Sequence, residues 1–155
     1  MLIKIKNIAI SDITNNIEKQ TALSNILRSH CSGYNIVWSN KDDLNFIIGS
    51  DFLGRVDIYT ASAIKSNLRE YGSIKNEVSH FIVVDFSLSN EIFENHDENH
   101  EQKYLNCSYH HFLAVKKAQA CLLLSECETD VRLYKIIGNF FLQLNLDVAY
   151  HYHSK

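Results

Sequence analysis

The sequence predicts an α+β fold with a mostly antiparallel sheet, and three stretches carry that expectation. The run His80–Phe86 (His-Phe-Ile-Val-Val-Asp-Phe) is β-branched and aromatic with one acid near its end. That composition suits a strand covered on both faces, the centre of a sheet. Between positions 34 and 60, three short apolar runs are separated by polar stretches of about five residues. Such spacing fits antiparallel hairpins, because parallel crossovers need a dozen or more residues. It predicts a β-meander over about 34–60. Finally, Tyr109–Glu126 and the stretch 128–145 have helical composition with a short break at Ser125–Asp130, which predicts a helical hairpin over about 109–145. The alternative is an α/β fold of the flavodoxin or receiver type, with Asp85 at the carboxyl end of the central strand.

Taken in order, Met1–Ile10 alternates, with Ile3 and Ile5 on one side and Lys4 and Lys6 on the other. This predicts a half-exposed outer strand whose lysines discourage edge-to-edge association. Ser11 or Asp12 is expected to cap a helix carrying Ile13, Ile17, Leu23, Ile26 and Leu27, stopped by Ser32-Gly33. The meander strands are Tyr34–Trp38, Leu44–Ile48 and Arg55–Thr60; in the last, Val56, Ile58 and Thr60 share a face. Ser62 is expected to cap a helix through Glu70, with Ala63, Ile64 and Leu68 inward and Gly72 closing it. After the central strand, 87–108 turns polar and acidic and reads as an exposed helix or a long surface loop. In 128–145, Val131, Leu133, Tyr134, Ile136, Ile137, Phe140, Phe141 and Leu144 make a helix that is apolar almost all round and should be buried. Leu146–Tyr152 reads as a last strand.

Length and composition bound the function. At 155 residues with 46% hydrophobic and 21% charged side chains, the chain reads as a single domain, 1–155, large enough for its own core. No apolar run reaches the roughly 18–20 residues that span a bilayer, and lysines interrupt the apolar N-terminus, so the expected location is cytoplasmic. The four cysteines form no CxxC pair and read as free thiols. A net charge of −3 disfavours direct nucleic-acid binding, which needs a basic face. The abundant Asn, Ile and Lys and the absence of proline resemble the usage of AT-rich genomes.

The strongest candidate site is acidic. Glu91, Glu94, Asp97, Glu98 and Glu101 occur without an intervening Lys or Arg. On a helix, Glu91, Glu94, Glu98 and Glu101 would form one negative stripe. Such a stripe suits a basic protein partner, whose association it would speed and orient. His96 and His100 stand four apart, the spacing of two metal ligands on a helix, but the position after the first histidine is Asp97, not the Glu of zinc proteases, and no third ligand is specified. His151 and His153 form a second pair near the C-terminus. Asp51, Asp57 and Asp85 are the candidate catalytic or cation-binding carboxylates, with Asp57 and Asp85 meeting across neighbouring strands. No Gly-rich phosphate loop accompanies them, so no cofactor is expected. Cys31 beside His30 and Cys107 near His110 carry no catalytic signature, and Trp38, Tyr34, Phe46 and Tyr59 suit a core or pocket wall.

The expected function is therefore a non-catalytic protein-binding module. Its most specific form is an inhibitor or immunity-type protein that neutralises a basic bacterial toxin or nuclease through Glu91–Glu101. The alternative is a small enzyme or a ligand or metal sensor using Asp57 and Asp85, or His96 and His100. The apolar surplus of 128–145 also leaves room for a homo-oligomer.

Overall fold

The structure, a computed structural model, describes residues 1–78, 80–89, 92–97, 102–119, 132, 133 and 136. Contacts divide the chain into two units, Met1–Cys121 and Leu122–Lys155. Every described strand lies in the first. In order, its elements are β1 (Leu2–Lys6), α1 (Ile17–Cys31), β2 (Ile36–Trp38), α2 (Lys41–Ile48), α3 (Arg55–Ser66), α4 (Leu68–Glu77), β3 (His80–Asp85), β4 (Ile92–Asp97) and β5 (Gln102–Ser108). Two 3₁₀ turns follow, Tyr109–Phe112 and Val115–Ala118.

The sheet order is β2-β1-β3-β5-β4. Among the described strands, β2, β1, β3 and β5 are mutually parallel, and β4 alone runs antiparallel, along the outer edge beside β5. The fold is thus α/β, and the expected α+β arrangement with a mostly antiparallel sheet is wrong. Its error lies in the meander. Only Ile36–Trp38 of that region is a strand; the runs at 44–48 and 55–60 belong to α2 and α3. These helices supply the long crossover that a parallel β2–β3 connection needs. In α3 the buried residues are Asp57, Thr60, Ala61 and Ile64, a helical spacing, whereas Val56 is 55% exposed. The alternation Val56/Ile58/Thr60 mimics a strand only because the window is short.

Other boundaries shift for local reasons. Asn16, not Ser11 or Asp12, caps α1, its side-chain oxygen accepting from Lys19 N at 3.0 Å; Ser11 turns back onto the Ile8 carbonyl. Gly33 ends the segment at φ 73°, the left-handed conformation expected there. Replacing Asn16 with Ala should cost about 1 kcal/mol in chemical denaturation, and Asn16→Asp should restore most of it. Asn40 caps α2 in the same way, with Asp42 and Asp43 in its first turn. Ser62 lies inside α3 and Gly72 inside α4, so neither has the expected capping role.

The main core fills one face of the sheet. Ile3 and Ile5 of β1, Val37 of β2, Val84 of β3 and Cys107 of β5 pack with Leu23, Ile26 and Leu27 of α1, Leu44 and Ile47 of α2, and Ala61 and Ile64 of α3. Contrary to the outer-strand expectation, β1 is an interior strand. A smaller cluster of Leu2, Phe81 and Val83 occupies the second face, beside Trp38 and Tyr104. There α4 lies close: Lys75 sits 5.5 Å over the Phe81 ring, and Gln102 donates to the carbonyls of Lys75 and Val78. Segment 87–108, expected as a helix or loop, contributes β4 and β5 instead. The region from 109 to Ala118 holds two short 3₁₀ turns and not a continuous helix; the rest of the expected hairpin and the strand 146–152 lie outside the described residues, apart from helical positions at 132, 133 and 136.

Candidate functional site

Parallel α/β sheets place their binding crevice at the carboxyl ends of the strands, where the chain order reverses direction. Here β2 lies on one side of β1 and β3 on the other. The reversal therefore falls between β1 and β3, whose carboxyl ends carry Lys6-Asn7 and Asp85-Phe86-Ser87. The register pairs Lys6 directly with Asp85 and Asp85 with Ser108.

Asp85 is the hub. Its Oδ1 accepts from Asn7 Nδ2 at 2.9 Å, from Ser87 N at 2.9 Å and from Ser87 Oγ at 2.7 Å. Its Oδ2 faces Lys6 Nζ at 3.2 Å. The residue is 4% exposed, while the Lys6 side chain keeps 34% of its surface. Burial on its own would raise the Asp85 pKa; hydrogen bonds from Ser87, Asn7 and Lys6 outweigh it and hold the carboxyl below its usual value. Asn7 sits at φ 63°, one of the few side chains that tolerate left-handed backbone. That turn takes the chain out of β1 at the residue whose amide meets Asp85. The result is an ionised carboxylate saturated by donors from its own chain, closing the crevice like a latch between β1 and β3.

Beside it, Ser108 ends β5 fully buried. Its Oγ lies 3.0 Å from the Leu88 carbonyl and 2.7 Å from His110 Nδ1, and His110 Nε2 is 4.0 Å from Glu18. One hydroxyl proton serves one of those acceptors at a time. Ser108 also caps the first 3₁₀ turn, accepting from His110 N. These contacts tie the end of β5 to the 3₁₀ turn that follows it.

The other candidates disperse. Asp57 does not meet Asp85: it is on α3, where Ser24 Oγ donates to it at 2.7 Å and Arg28 Nε at 3.3 Å, tying α1 to α3. Asp51 is exposed in the loop after α2, lining a groove with Phe46 and Phe52. Glu94 and Asp97 lie on β4, so the helical stripe is not formed there; positions three apart on a strand fall on alternate faces. Glu91, Glu98 and Glu101 lie outside the described residues. His96 is also on β4 and not on a helix, and His100, His151 and His153 lie outside the described residues. Among the described residues, no three His, Cys, Asp or Glu side chains converge as a metal site. Burial pushes the Cys107 thiol up to about 11, so it is protonated and inert; Cys31 is exposed.

Sequence reasoning found Asp85 but missed Lys6, Asn7 and Ser87. Ser87 had a local signal, because an Asp accepting from the N–H two residues on is an Asx turn. Lys6 and Asn7 had none, since they reach Asp85 only through the β1–β3 pairing. No helix among the described residues is long and apolar enough to cross a membrane. No family model matches this chain, and no curated protein or solved structure is significantly similar to it.

Proposed function

We propose that this chain is a non-catalytic, cytoplasmic protein-binding module that engages a basic partner along β4, in the manner of an inhibitor or immunity-type protein. The observation that carries this reading is the position of the acidic segment. Two of its five acids, Glu94 and Asp97, lie on the outermost strand of the sheet, where Ile92 is 53% exposed. An edge strand is the part of a sheet open to a partner. The latch at Asp85 supports the non-catalytic half of the reading, because the carboxylate that the fold places at its crevice is occupied by the chain's own donors.

A second reading rests on the crevice itself. Its place between β1 and β3 suits a small polar ligand that opens the Lys6–Asp85 pair, which would make the chain a sensor. A thermal-shift screen against divalent cations and nucleotides separates the two. A ligand present at 100 times its Kd adds about 2.7 kcal/mol of stability. Such a shift, abolished in Asp85→Asn, favours the sensor. A flat screen together with salt-sensitive capture of a basic protein favours the binding module.

A further inference from the structure

His30 stands in the last turn of α1, against the sheet's other outer strand. Its Nδ1 lies 3.2 Å from Val37 N and 3.1 Å from the Asn35 carbonyl oxygen. Its Nε2 lies 3.4 Å from the Tyr71 hydroxyl of α4, with the two rings edge to face at 5.5 Å. A ring nitrogen carries either a lone pair or a proton. Nδ1 therefore serves Val37 or Asn35, never both.

The geometry of β2 gives this choice a consequence. Among the described strands, β2 has β1 on one side only. Ile36 N–H points to β1, bonding the Met1 carbonyl. The next N–H, of Val37, points the opposite way, outward from the sheet, and there it meets the imidazole. His30 thus caps a backbone donor on a sheet edge that would otherwise stay open to pairing.

We propose that His30 is a proton-operated clasp on the outer edge of β2. Neutral, with its proton on Nε2, the ring accepts the Val37 N–H at Nδ1 and donates to the Tyr71 hydroxyl. Protonated, Nδ1 becomes a donor, releases Val37 and turns to the Asn35 carbonyl, while the Nε2 bond to Tyr71 persists. The groups that face the ring are the backbone of Asn35 and Val37 from β2 and its lead-in, and the Tyr71 phenol from α4. Among the described residues, burial lowers its pKa and the Asn35 carbonyl raises it. Burial dominates and holds the His30 pKa below its ordinary value. The unfolded chain therefore takes up this proton first. The stability from neutral His30 is complete above about pH 6.5 and is lost as pH falls through the folded value.

The test is an NMR titration of the full ¹⁵N-labelled chain from pH 8 to pH 4.5, with hydrogen exchange at the Val37 amide corrected for its intrinsic pH dependence. The expected neutral tautomer carries its proton on Nε2. Val37 exchange should rise about tenfold or more as the ring charges, while the Ile5 amide in interior β1 stays protected. His30→Asn places an uncharged oxygen near the position of Nδ1, so Val37 should stay protected and lose its pH response. An Nδ1-protonated ring at pH 8, or Val37 exchange unchanged across the His30 titration, overturns the proposal. So does a pH response that persists in His30→Asn. If that variant does not fold, the wild-type titration decides alone.

Discussion

Asp85→Ala should lower stability by about 3 kcal/mol, because it removes one carboxylate and orphans four donors at once. Lys6 is half-buried and can turn its ammonium to water, which keeps the cost at the lower end of the range for breaking a buried pair. Asn7 Nδ2 and Ser87 N have less freedom, being fixed by the left-handed turn and by the end of β3. Asp85→Asn should cost less, roughly 2 kcal/mol, since one oxygen remains to accept while the ion pair is gone. The pH dependence has a definite sign. The folded carboxyl titrates below its unfolded value, so its contribution is present above about pH 4 and disappears as pH falls through the folded value. Melting curves of wild type and Asp85→Ala should stand roughly 10 °C apart at pH 7 and converge in acid. A difference below about 0.5 kcal/mol at neutral pH would mean that the four contacts do not act as a latch.

Phe86→Ala should cost more, about 3–5 kcal/mol. Phe86 is fully buried, and its ring stacks on Tyr109 at 5.8 Å between centroids. Its backbone N–H donates to the Lys6 carbonyl at 3.2 Å, beside the latch. Truncation would leave a cavity where the main core meets the carboxyl ends of the strands, and a loss of this size is a large part of a typical domain's stability. Urea denaturation should show a lower midpoint with an unchanged slope. A loss below about 1 kcal/mol would show that the region repacks freely and is not a rigid support for Asp85.

These two adjacent residues also mark how far the sequence was legible. The run that contains them was readable as the central strand, since a β-branched stretch has few other solutions. The facing of β1 was readable too: Ile3 and Ile5 are buried, and Lys4 and Lys6 lie opposite. Its interior position was not, because a lysine that pairs with a buried acid looks like a solvated one. The helices α2 and α3 were misread for different reasons. Asp42 and Asp43 resemble turn residues, although after Asn40 they are the acidic first turn of a capped helix. Val56 to Thr60 alternates over five residues, and only the longer spacing through Ala61 and Ile64 exposes the helical period. With those helices taken as strands, the parallel order could not emerge.

The site divides along the same line. Asp85 at a strand end and the acids from 91 to 101 are local features of the chain. Of the partners of Asp85, Ser87 is local, whereas Asn7 reaches it through a pairing across 78 positions and Lys6 through the same pairing, which no local pattern encodes. The helical stripe failed because acidic side chains obscure the alternation of an edge strand; the strand itself is fixed by its ladder to β5.

The decisive measurement is to capture the partner from host lysate at low and high salt and then titrate the purified pair. Wild type should be run beside a chain carrying Glu91→Gln, Glu94→Gln, Asp97→Asn, Glu98→Gln and Glu101→Gln. A basic protein should be held stoichiometrically by wild type at about 50 mM salt and released at about 1 M, where screening shortens to about 3 Å. The neutralised chain should fail to hold it. A partner that binds both chains equally, or whose affinity ignores salt, would mean that the acidic segment is not the docking surface.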